Sequence, residues 1–204
     1  MDARIAEIDT PQGLARAHVH AVDDPVAALV LGHGAGGSVT APDLQAVTRA
    51  AVAARHAVVL VEQPYRVAGR RSPPRAPALD TAWCAVVDHL REHDVAGVPL
   101  VTGGRSSGAR VACRTAEATG ARAVLCLAFP LVAPNGTSRQ EELDAVAVPV
   151  LVVQGTTDRF GMPRAAGLRE VAEVPGDHGL KKDVAGIAAL VVDWLQRVER
   201  PPYW

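Results

Sequence analysis

The residues of this chain best suited to covalent chemistry lie in Gly104-Arg105-Ser106-Ser107-Gly108, a G-x-S-x-G pattern. It falls between a short apolar run, Leu100 to Thr102, and a run of small residues with helical potential, 107–118. A serine at so tight a strand-to-helix turn is held in a strained backbone conformation with its hydroxyl exposed. The residues two before and two after it must be tiny, because strand and helix almost touch. Gly104 and Gly108 meet that demand for Ser106; around Ser107 the same positions hold Arg105 and Ala109, so Ser107 is the poorer nucleophile. The positive end of the following helix favours a developing alkoxide or oxyanion. Read blandly, the stretch is a Gly/Ser-rich turn or a helix N-cap. The serine needs partners.

A serine hydroxyl is a weak nucleophile and requires a histidine base, with a carboxylate to fix the imidazole tautomer and stabilise its cation. The apolar run Val150 to Gln154 ends in Gly155-Thr156-Thr157-Asp158, and Gly176-Asp177-His178-Gly179 follows before a terminal helix. Asp158 and His178 therefore complete the order Ser, Asp, His. Taken singly, Asp158 is an ordinary turn residue and His178 an exposed loop histidine; their joint order and placement at element ends is what carries weight. Asp177 adjoins His178 and points elsewhere on the backbone, while His18, His20, His56, His89 and His93 sit within or beside structural elements.

Gly32-His33-Gly34-Ala35-Gly36-Gly37 follows another apolar run, Ala27 to Leu31. Beside a serine nucleophile its amides serve as an oxyanion hole, with Ala35 favoured, then Gly34, acting together with the amide of Ser107; His33 then orients or packs the loop. The same residues match G-x-G-x-x-G, and Glu62 ends the following strand where a ribose-binding acid is expected. An NAD(P)-dependent enzyme is thus a rival reading. Against it stand a helix that starts late, near Pro42, a hairpin before the first buried strand, and the unexplained placement of Ser106, Asp158 and His178.

Positioning such groups on one edge calls for a parallel sheet, and the apolar pattern supplies one. Arg4 to Ile8 and Leu14 to Val22 read as a hairpin about Thr10-Pro11-Gln12-Gly13. Buried strands are expected at 27–31, 58–61, 100–102, 124–128 and 150–154. Between them, Leu44, Val47, Ala51 and Ala54 mark one helix, with Thr40 and Asp43 resembling a capping box and Pro42 in the first turn. Leu79, Trp83, Val86, Val87 and Leu90 mark a second. The segment 139–146 suggests a short helix, and Val184 to Val198 a long last one that Pro201-Pro202 stops. The stretch 63–77, rich in Pro and Arg, reads as an irregular loop. Strands alternating with helices predict an α/β fold with a mostly parallel central sheet covered on both faces.

Composition narrows the partners. At 204 residues the chain suits one domain. It is 49% hydrophobic, 21% charged and 3% aromatic, with a formal net charge of -1, which argues against a nucleic-acid binder. Met1 to Gln12 carries Asp2, Glu7 and Asp9 without an apolar core, unlike a signal peptide. The longest apolar stretch, Ala121 to Ala133, is interrupted by Arg122 and Pro130 and is too short for a bilayer. Cys84, Cys113 and Cys126 form no C-x-x-C, so free thiols, no zinc site and a reducing, cytoplasmic setting are expected. The chemistry outlined needs no metal and no cofactor. Its partner is a small-molecule substrate, with no nucleic acid and no membrane.

Together with Gly69-Arg70-Arg71, Gln154 to Asp158 and Gly176-Asp177-His178, the glycine loop and the elbow Gly103 to Arg110 resemble the small α/β-hydrolases related to dienelactone hydrolase. The branch they most resemble includes an animal testis-expressed protein and a subunit of a histone-acetyltransferase complex. The resemblance covers roughly residues 13 to 198, and G-G-R-S-x-G-x-R is its most specific piece. It implies an α/β-hydrolase fold with a minimal cap or none, Ser106 as nucleophile, Asp158 as acid and His178 as base. Dienelactone hydrolases proper carry Cys at the elbow, so Ser106 argues against that exact activity, and Ala109 stands where a second glycine is common. Some relatives act mainly as interaction domains, so a catalytically idle module is the second alternative. With little room for a cap, the loop 63–77 and the stretch from Phe129-Pro130-Leu131 to Thr137 must form the canopy of a shallow pocket for a small ester. Arg66, Arg70, Arg71 and Arg105 are either its positive rim, favouring carboxylated or phosphorylated substrates, or solvated and structural charges, with Arg70 and Arg105 in ion pairs.

Overall fold

The computed structural model of the chain describes residues 3–200; Pro201-Pro202 lie outside them. The first hairpin pairs β1 (Arg4–Thr10) with β2 (Gly13–His20) about the expected turn, and β2 ends two residues earlier than Val22. The buried strands follow as β3 (Ala27–Gly32), β4 (His56–Glu62), β5 (Leu100–Arg105), β6 (Ala123–Leu127) and β7 (Val150–Gly155). An additional strand, β8 (Arg169–Val174), was not expected: it lies at the sheet edge, and Arg-Glu-Val-Ala-Glu-Val has charges where a buried strand would be apolar. The eight strands form one sheet in the order β1-β2-β4-β3-β5-β6-β7-β8, antiparallel from β1 to β4 and parallel from there on.

Strand alternation sends side chains to two separate cores. Leu29 and Leu31 of β3, with Val58 and Leu60 of β4, meet α1 (Pro42–Ala53) and α6 (Val184–Val198) on one face. Ala28 and Val30, with Val59 and Val61, meet Trp83, Val86 and Leu90 of α3 (Ala76–His93) on the other. On that second face, α4 (Ser107–Thr115) and Leu143 of the short α5 (Gln140–Asp144) cover β6 and β7. Trp83 and Trp194, the largest fully buried side chains, anchor the two faces.

Two local expectations change. The stretch 63–77 is not wholly irregular, since α2 (Pro64–Val67) turns the chain at its start, with Pro64 pre-set for a first helical turn. Nor do Thr40 and Asp43 form a capping box. The N-cap of α1 is Ala41 without a side-chain cap, and Asp43 is fully buried against Arg105, whose guanidinium is the stronger partner for a carboxylate. Among the described residues no helix is long and apolar enough to cross a membrane.

Candidate active site

Taken in chain order from β3, the parallel strands run 2-1-3-4-5-6 across the sheet, which reverses direction between β3 and β5. Ligands of open α/β sheets bind outside the carboxyl ends of the strands at that reversal. The glycine loop after β3 and the serine turn after β5 both sit there, with Gly32 opposite Gly104 in register.

The turn is built by backbone contact. A Cβ on Gly104 would lie 2.5 Å from the Gly32 carbonyl oxygen, and one on Gly108 would lie 2.4 Å from the same atom. The neighbour that forbids side chains is therefore β3 as much as the elbow's own strand and helix. Held this way, Ser106 takes φ 53° and ψ −107°, a conformation that costs a non-glycine residue about 1–3 kcal/mol. The Ser106 amide donates to Leu127 O at 2.9 Å, which ties the turn to β6.

The structure brings Ser106, His178 and Asp158 together. His178 Nε2 lies 2.9 Å from Ser106 Oγ, and His178 Nδ1 lies 2.7 Å from Asp158 Oδ2. A carboxylate only accepts, so Nδ1 carries the proton, and Nε2 is left to accept from the hydroxyl. The Asp158 carboxylate is fully buried and further held by Gln154 Nε2 on Oδ2 at 2.9 Å and by the Phe160 amide on Oδ1 at 2.9 Å. The Phe160 ring stands edge-on to the imidazole, with centroids 4.6 Å apart. Gly155 allows the approach, since a Cβ there would meet the Gly176 and Asp177 carbonyls at 2.5 Å.

Ala35, Ser106 and Ser107 line one cavity of about 280 Å³. Neither the Ala35 nor the Ser107 amide has an acceptor among the described residues. Ser107 opens α4, where unpaired amides and the helix dipole favour negative charge. Gly34 is buried beside them; a Cβ there would lie 3.6 Å from Ser106 Cβ. His33 holds this loop. The Gln63 amide donates to His33 Nε2 at 3.1 Å, so the protonated Nδ1 donates to Gly34 O at 2.8 Å. Burial pushes the His33 pKa below its ordinary value, consistent with a neutral ring. Tyr65 Oη donates to Ala35 O at 2.8 Å, and burial pushes its phenol up to about 12, which keeps it a donor.

Arg66, Arg70 and Arg105 do not line this cavity. Arg66 Nη1 turns back to Arg70 O at 3.3 Å, and Arg70 faces a different hollow beside Gln12 and Tyr65, because α2 carries both away from Ser106. Arg105 holds an ion pair, as one reading anticipated. It donates to the Asp43 carboxylate at 2.9 Å and to the His178 carbonyl at 2.8 Å, so it links α1 to the histidine loop. Burial raises the Asp43 carboxyl above its ordinary range, against the opposing pull of Arg105. The arginines that do line the cavity are Arg110, Arg114 and Arg139, with Pro73, Pro74, Pro130 and Pro134 from the two canopy segments. Helical spacing from Ser106 could have indicated Arg110; nothing in the sequence pairs Arg139 with it.

A dinucleotide site does not fit this arrangement. That fold reads 3-2-1-4-5-6 across its sheet, and Glu62 is engaged by His18 Nε2 at 3.3 Å across β2 and β4. Among the described residues no group of three or more His, Cys, Asp or Glu is placed to hold a metal ion.

The fold is similar to that of a lidless α/β serine hydrolase from Xanthomonas campestris, at 19% identity and TM-score 0.78 over 97% of this chain and 95% of that one. It is also similar to a dienelactone hydrolase from Anabaena variabilis, at 15% identity and TM-score 0.76 over 96% and 97% of the two chains. An esterase domain from a Rhodothermus marinus protein superposes with TM-score 0.71 at 16% identity, over 97% and 99%. Likenesses at such identities speak for the fold alone. No curated protein matches by sequence. The family described as Alpha/beta hydrolase domain matches residues 25–182, most of the chain, and the protein belongs to that family.

Proposed function

We propose that the protein is a serine hydrolase that cleaves a small carboxylic ester or thioester through an acyl-enzyme intermediate. The observation that carries this reading is the continuous hydrogen-bonded path from Ser106 Oγ through the His178 ring to the buried Asp158 carboxylate. On this reading His178 Nε2 takes the hydroxyl proton as Ser106 Oγ attacks the ester carbonyl, and Asp158 stabilises the imidazolium that forms. The Ala35 and Ser107 amides receive the tetrahedral oxyanion; an oxyanion donor of this kind lowers the barrier by roughly 3 kcal/mol. His178 then gives its proton to the leaving alcohol or thiol, and a water activated by the same nitrogen releases the acid from Ser106.

Within the family we place the chain beside the branch that includes an animal testis-expressed protein and a histone-acetyltransferase complex subunit, on the strength of the G-G-R-S-x-G-x-R elbow. A reducing cytoplasmic setting agrees with Cys113 and Cys126, whose sulfurs lie 3.5 Å apart as free thiols. A panel of short-chain esters and thioesters tests the activity. We expect turnover that Ser106→Ala abolishes and that His178→Ala lowers by about a thousandfold or more. An idle interaction module would turn over nothing in the panel, and a fall below about a hundredfold in His178→Ala would mean another base.

A further inference from the structure

Three guanidinium groups reach the cavity beside Ser106, and two of them are neutralised. Arg110 gives Nε to Glu142 Oε2 at 2.8 Å and Nη2 to Glu142 Oε1. Arg114 gives Nε and Nη2 to Asp80 at 2.8 and 2.6 Å, and Nη1 to Glu142 at 3.3 Å. Arg139, at the N-cap of α5, donates Nη1 to the Pro130 carbonyl at 3.0 Å and forms no ion pair among the described residues. A guanidinium has five N–H donors and stays charged in proteins. Asp80 and Glu142 thus face Arg110, Arg114 and Arg139, which leaves a local surplus of one positive charge. Burial and the nearby Arg110 guanidinium both weigh against the Arg139 charge, only partly offset by Glu142, so an anion placed there would relieve the site. Such a half-buried cation, pinned by a carbonyl and facing a cavity, differs from the exposed Arg70 and Arg71.

We propose that Arg139, held by the Pro130 carbonyl, recognises an anionic group on the substrate, so that the molecule cleaved at Ser106 is a small ester carrying a carboxylate or phosphate-type oxyanion. The inference rests on the hydrolase reading and deepens it. The cavity is small, about 280 Å³, and Ser106 and Arg139 both line it, so a compact substrate carrying both groups suits it. Four of its lining residues, Pro73, Pro74, Pro130 and Pro134, have a fixed φ, which holds the walls in place before the substrate arrives.

The test compares three 4-nitrophenyl esters of similar length: the glutarate monoester, the 4-phosphonobutanoate ester and the neutral pentanoate. Wild-type protein is expected to favour at least one anionic ester over the neutral one by about tenfold or more in kcat/KM, the scale of a charge-assisted hydrogen bond. The preference should shrink as salt is raised. The larger of the two anionic gains identifies carboxylate or phosphate as the source. Arg139→Gln should collapse the ratio mainly through KM, and Arg139→Lys should keep part of it. Free glutarate or inorganic phosphate should also slow labelling of wild-type Ser106 by a fluorophosphonate, a readout that does not depend on how any variant folds. Equal rates on all three esters in wild type, or a preference that survives Arg139→Gln, overturns the proposal while leaving a labelled Ser106 and the hydrolase reading intact. A folded wild-type chain that takes no fluorophosphonate label removes the hydrolase reading and this inference with it.

Discussion

The serine turn and the canopy above it are built on different principles. At the turn, Gly104 and Gly108 meet the Gly32 carbonyl at distances that no Cβ could share, and the strained Ser106 sits within that contact. Over the cavity, the wall is made by side chains from α3, α4, the N-cap of α5 and two proline-bearing loops, joined by ion pairs such as Arg110–Glu142 and Arg114–Asp80. A side chain at Gly104 or Gly108 would collide with backbone, whereas the canopy is built from side chains that contact one another. On the proposed reading, the turn fixes the chemistry and the rim sets substrate choice.

That contrast can be broken by measuring both regions for stability. Gly108→Ala places a methyl against the Gly32 and His33 carbonyls, all of it backbone, and should cost about 1–3 kcal/mol together with a displaced Ser106. Pro134→Ala, at an exposed rim position, should stay within about 0.5 kcal/mol of wild type. Equal denaturant midpoints for the two variants would contradict the distinction. A smaller effect is expected one step back from the triad geometry. Gln154→Leu removes the amide that holds Asp158 Oδ2 and should lower ester turnover by about 10–100-fold, as expected for a lost hydrogen bond to a charged group. Because Gln154 acts through Asp158 and His178, the pH profile of kcat/KM should move as well; a lower rate with an unmoved profile would mean a merely structural role.

The smallest effect concerns His33, which holds the glycine loop. Burial lowers its pKa from the ordinary 6.5, so between the native value and 6.5 the native chain holds fewer protons than the unfolded one. The stability contributed by the neutral ring is therefore fully present above pH 6.5 and lost as pH falls through the lower native value. Wild type should lose more melting temperature between pH 7 and pH 5 than His33→Asn does. Identical losses would show that the ring does not hold the loop in the way its two hydrogen bonds indicate.

How much of this was legible in the sequence follows the same division. Features imposed by backbone geometry leave marks at fixed spacing, so Gly104 and Gly108 flanked Ser106 and the helical periodicity of 184–198 marked α6 with its bounds. Asp158 was legible because it follows the end of the apolar run 150–154, and His178 because it stands in a Gly-flanked turn before the terminal helix. The edge strand β8 was not, since exposure on one side lets charges interrupt its pattern. Asp43 read as a helix cap because capping is local, whereas its partner Arg105 comes from a distant strand. The positive rim was not legible for the same reason: Arg66, Arg70 and Arg105 lie near motifs but off the cavity, with Arg105 in the ion pair that the other reading allowed, while Arg110, Arg114 and Arg139 meet only when α4 and α5 pack side by side. That the glycine loop lies beside Ser106 was legible only through the position of the following helix, at Pro42, and through the strand order it implies.

The central claim is that Ser106 is the nucleophile, and intact-mass spectrometry after fluorophosphonate treatment tests it most directly. Folded wild-type protein should gain a single adduct, mapped by peptide digestion to Ser106. Ser106→Ala should gain none, while Ser107→Ala should retain much of the labelling. An adduct on Ser107, or no adduct on protein shown to be folded, would contradict the account.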